Sequence, residues 1–68
     1  MSSFYQRFGE PRSGDIAETD VYHSVALLGK LVTEPEQTSP LWVVAITETG
    51  EIKIVREDDF RKVGYYGD

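Results

Sequence analysis

The stretch Leu41–Val63, LWVVAITETGEIKIVREDDFRKV, decides the fold class. Two apolar runs, Leu41–Ile46 and Ile52–Val55, flank the turn-forming residues TETGE, with Gly50 able to take the positive backbone angle of a short hairpin loop. Successive strand side chains point to opposite faces, so Trp42, Val44 and Ile46 share one side and Leu41, Val43 and Ala45 the other. Both sides are apolar, which suits a central strand or one in a sheet that curls over itself. On the second strand Ile52 and Ile54 alternate with Lys53 and Val55, a cleaner in-and-out pattern. In REDDFRKV, Asp58 and Asp59 suit the start of a single 3-10 turn, because carboxylates accept the unpaired amides there. Phe60 and Val63 would then point the same way and close one end of the core.

Upstream, GEPRSGD is loop chemistry, and a first short strand is expected from Asp15 or Ile16. The segment ETDVYHSVALLGKLVTE has two readings. As strand, a loop to about Ser24 leads into VALLGKLVT with Gly29 as a bulge or bend. As helix, Asp20 caps the start and Gly29 stops the end, giving an α+β domain with a short helix at about 20–28. The β-branched residues favour strand. EPEQTSP, with two prolines, returns the chain over the surface to Leu41. The expectation is an all-β domain, a small five-stranded barrel at 13–64 with a 3-10 turn near its C-terminal end. An arm precedes it at 1–12 and a tail follows at 65–68.

The pieces SGDIAE (Ser13–Glu18), LLGKLV (Leu27–Val32), LWVVAI (Leu41–Ile46), TGEIKIV (Thr49–Val55) and EDDFRKV (Glu57–Val63) together resemble an SH3-like small barrel. The resemblance implies a fold rather than a function, since such barrels host unrelated activities. One enzyme of similar architecture, the plasmid-type dihydrofolate reductase, lines its pore with Val-Gln-Ile-Tyr. The corresponding stretch here is Ile52-Lys53-Ile54-Val55, without the glutamine and tyrosine.

Composition narrows the function classes. The absence of cysteine removes disulfides, thiolate metal sites and a cysteine nucleophile, and favours a cytoplasmic home. No apolar run approaches the roughly 18 residues of a membrane span, and the N-terminus lacks the apolar core of a signal peptide. The net charge is −5. From Leu31 to Ile52 the charged residues are Glu34, Glu36, Glu48 and Glu51, with no lysine or arginine among them. Nucleic acid and anionic membranes attract the opposite charge, so neither is expected as a partner, whereas a basic protein surface fits.

Catalytic signals are sparse. His23 and Asp20 supply two metal-ligand types where a structural site wants four. Asp58 and Asp59 lack calcium-loop spacing, and no glycine-rich phosphate loop occurs. We expect neither enzyme activity nor a cofactor. An interface enzyme remains the outlying alternative, with Lys53 as its first suspect. Five aromatics crowd the two ends: Phe4, Tyr5 and Phe8 in SFYQRFG, Tyr65 and Tyr66 in GYYG. They either cover an open mouth of the barrel or hold a partner chain, a second copy among the candidates. The expectation is an acidic interaction module that binds and modulates a protein, with Phe4, Tyr5, Phe8, Tyr65, Tyr66 and the four glutamates as binding residues. A phage or mobile-element inhibitor of a nucleic-acid enzyme is its narrower form; a structural subunit of a larger complex is the other.

Overall fold

A computed structural model describes residues 3–31 and 40–67. The chain forms six strands and one 3-10 turn: β1 (Ser3–Gln6), β2 (Ile16–Thr19), β3 (Val25–Leu31), β4 (Leu41–Ile46), β5 (Ile52–Arg56), the turn Glu57–Asp59, and β6 (Phe60–Gly67). All pairings are antiparallel, in the order β1-β6-β2-β3-β4-β5. The all-β class and the 3-10 turn agree with the sequence reading. The short helix at about 20–28 does not form. Thr19 and Tyr22 bond each other instead: Tyr22 N–H donates to Thr19 Oγ1 at 2.8 Å and Thr19 N–H to the Tyr22 carbonyl at 2.9 Å. That closes a turn over Asp20 and Val21, and Val25 starts a strand.

Two further expectations are corrected. The sheet has six strands rather than five, because SFYQ pairs as β1 along β6, with Phe4 opposite Tyr66 and Tyr5 opposite Tyr65. The residues expected as a loose arm and tail therefore extend the sheet. The sheet is also not closed into a barrel. β1 and β5 are its two edges, and β5 does not pair with β6.

The hairpin β4–β5 forms as expected. Ile46 N–H donates to the Glu51 carbonyl at 2.8 Å, Gly50 N–H to the Ile46 carbonyl at 2.7 Å, and Gly50 has φ of 78°. The register of β3 on β4 shifts between Leu27 and Gly29, which is the expected bulge, and Leu28 is pushed outward there. On the concave side Ala17, Val25, Leu27, Trp42 and Val44 are buried, with Tyr22, Ile46, Val55, Phe60 and Val63 packed around them. Trp42 lies at the centre, 2% exposed, its ring 6.2 Å from that of Phe60. Its indole N–H donates to Glu57 Oε1 at 3.1 Å, which ties the 3-10 turn to the core and satisfies the one polar atom of the indole.

Candidate protein-binding surface

Directly opposed residues of neighbouring strands share a face. Ile16, Ala26, Ala45 and Ile52 are opposed across β2, β3, β4 and β5, and Val43 is opposed to Ile54. All six lie on the convex side, away from the Trp42 core. Ile52 and Ile54 are therefore outside, 58% and 60% exposed, while Val55 packs on the core. The core takes Val55 because it is opposed to Trp42, and Lys53, opposed to Val44, follows on the same side. Lys53 is half-buried and keeps its ammonium 3.4 Å from the Glu51 carboxylate, a position its long apolar stem allows. Ile52, Ile54 and the extruded Leu28 leave an aliphatic surface on the outer side of β3, β4 and β5.

Of the expected binding residues, the terminal aromatics are brought together as two cross-strand pairs. On the outer side Phe4 meets Tyr66 edge to face at 5.4 Å, and on the inner side Tyr5 stacks on Tyr65 at 5.5 Å. A cation lies over each pair: Lys62 Nζ is 4.8 Å from the Phe4 centroid, and the Arg7 guanidinium is 5.0 Å from that of Tyr65. Phe8 joins neither pair and is 90% exposed in the following loop. Glu48 and Glu51 are exposed around the β4–β5 turn, Glu51 with its carboxylate turned to Lys53. Glu34 and Glu36 lie outside the described residues. A shallow cavity of about 220 Å³ opens beside Phe4 and Tyr66, with Glu18, His23 and Lys62 at its wall. Asp20, considered above with His23, pairs with Arg61 at 3.1 Å, and among the described residues no three potential metal ligands converge.

Asp15 has a role that the sequence reading missed. Its carboxylate is buried at the start of β2, where it accepts from Arg7 Nε, from Arg7 Nη2 at 3.0 Å and from the Arg12 amide at 3.0 Å. One buried acid thus holds the chain leaving β1 against the chain entering β2. The hydrogen bond to Asp15 is the largest cause that holds the Arg7 guanidinium above its ordinary value. A raised value favours the charged guanidinium in the folded chain, a contribution present in the neutral range and lost as pH rises through that value. Replacing Asp15 with alanine strands the Arg12 amide and leaves Arg7 without its carboxylate. The expected result is a fall in melting temperature of roughly 10 °C. A melting curve that superimposes on that of the parent chain would remove Asp15 from this role.

Comparison of the chain with protein-family models, with curated proteins and with solved structures finds no match. The functional reading therefore rests on the geometry alone.

Proposed function

We propose that the chain is a small cytoplasmic protein-interaction module, a binder rather than an enzyme, that docks a basic protein partner on the outer face of β3, β4 and β5. The observation that carries this reading is the pair Ile52 and Ile54. Two large aliphatic side chains, each more than half exposed, sit two residues apart on an edge strand, with Leu28 also exposed on β3. Apolar surface gathered in this way, rather than scattered singly, marks an interaction site. Glu48 and Glu51 supply an acidic rim, and polar rims around apolar centres are the usual anatomy of an interface. The rim also repels nucleic acid and anionic lipid.

Two observations support the finer reading. The sheet order places β2, β3, β4 and β5 side by side in sequence order and returns β6 beside β2, as in an SH3-like fold. Small size, acidity and absence of cysteine suit a phage or mobile-element inhibitor of a host nucleic-acid enzyme, the narrower form of the proposal.

The test is capture by the tagged full chain from lysate of its source, with quantitative mass spectrometry and three variants in parallel. Leu28→Lys, on the face but off the edge strand, is expected to lower recovery of a near-stoichiometric basic partner at least tenfold. Paired Glu48→Lys and Glu51→Lys substitutions weaken it further at low salt than at high salt. Phe8→Ser leaves it unchanged. Equal recovery by the parent chain and Leu28→Lys would sink the reading.

A further inference from the structure

The outer face of β5 is one feature; its outer edge is another. Ile46 N–H bonds the Glu51 carbonyl and Glu57 N–H bonds the Pro40 carbonyl, each at 2.8 Å, one at either end of the β4–β5 ladder. These two bonds set the phase of the ladder. Lys53 and Val55 direct their backbone groups to β4, and Ile52, Ile54 and Arg56 direct theirs away from the sheet. Among the described residues no strand pairs with that edge. A row of outward amides and carbonyls on a β-branched strand is a template for another strand. We propose that two copies of this chain pair antiparallel through β5, with Ile54 of one copy opposite Ile54 of the other.

The register follows from backbone phase and charge. Centred on Ile54, the pairing sets Ile52 against Arg56 of the second copy and engages every outward residue of both strands, for about six interchain hydrogen bonds. Lys53 then faces Val55. Centred on Lys53, the strands would set two ammonium groups directly opposite at a Cα separation of about 4.5 Å, which is destabilising. Centred on Ile52, they would run Ile54 into Gly50 of the hairpin turn; centred on Val55, they would send Ile52 into the 3-10 turn. In the favoured register Lys53, already 3.4 Å from its own Glu51, lies diagonal to Glu57 of the second copy. It therefore sits between the two acids that meet at each end of the pair. Edge pairing uses backbone and leaves the outer faces open, so it joins two docking faces into one surface and stands independently of the partner proposed above.

Sedimentation of the full chain over a range of concentrations tests the pairing, with β-structure checked by circular dichroism. The expected mass is that of a dimer. Ile52→Arg, which opposes Arg56, raises the dissociation constant at least tenfold. Ile52→Glu, which opposes the same arginine with a carboxylate, does not. The double variant Ile52→Arg with Arg56→Glu restores the dimer, which separates lost pairing from lost folding. A monomer at all concentrations up to about 1 mM overturns the proposal and makes Lys53 a guard against edge association. A dimer equally insensitive, or equally sensitive, to both Ile52 substitutions overturns the register.

Discussion

Trp42→Ala is expected to abolish cooperative folding. Truncating a buried tryptophan costs about 4 kcal/mol in lost burial and cavity. A domain of this size has only about 3–5 kcal/mol in total from its core. Trp42 is also where separate parts of the structure meet, because it packs against Phe60 from the start of β6 and holds Glu57 of the 3-10 turn. Its removal loosens both the β4–β5 hairpin and the return of β6 along β2. Urea titration followed by far-ultraviolet circular dichroism should show no folded baseline for the alanine variant. Trp42→Phe, which keeps most of the apolar volume but not the indole N–H, should retain a shifted cooperative transition. A sharp transition for the alanine variant within 1 kcal/mol of the parent would mean that the core is centred elsewhere.

Gly64→Ala is expected to detach β1. Gly64 is buried in β6 between Ile16 of β2 and Gln6 of β1, and the Phe4 ring lies across it. A β-carbon there would run into Phe4 Cζ and the Tyr5 carbonyl oxygen, and would come within 2.8 Å of Phe4 Cε1. The ring could turn aside, but the Tyr5 carbonyl belongs to the backbone and moves only if β1 moves. Overpacking of this kind costs about 3 kcal/mol. The effect should be local as well as global. Amide hydrogen exchange at Tyr5 and Arg7, whose amides face β6, should rise far more than exchange at Val44, which lies away from β1. Adding Phe4→Ala should recover part of the loss, because it removes one of the two obstacles. Unchanged protection of the β1 amides would refute the close packing over Gly64.

The local features of the fold were legible in the residues, and the non-local ones were not. The β4–β5 hairpin, the bulge before Gly29 and the 3-10 turn each depend on a short run of sequence whose conformational preferences agree. The central place of Trp42 follows from its alternation with Val44 and Ile46. β1 was hidden because SFYQ is four residues long and adjoins loop chemistry, and what makes it a strand is pairing with the distant GYYG. The clustering of aromatics at both ends was the available signal; it pointed to contact between them without showing that the contact is a ladder. The face of β5 stayed open because both of its sides carry aliphatic residues, Ile52 and Ile54 on one and Val55 on the other. With both sides of β4 apolar, composition does not decide which side of β5 faces the core, and the opposition of Val55 to Trp42 does. The candidate site was correspondingly half visible. Glu48 and Glu51 were found, while the aliphatic surface came into view only with the orientation of β5.

The pairing of β1 also has a consequence for synthesis on the ribosome. Among the described residues β1 pairs with one strand, and that strand is β6, made well after it. Phe4 and Tyr5 therefore leave the exit tunnel without their cross-strand partners until β6 follows. Throughout that interval the nascent chain presents an aromatic segment of the kind that general chaperones hold. Completion of the sheet thus waits on β6, and its rate is governed by closure of the long loop between β1 and β6.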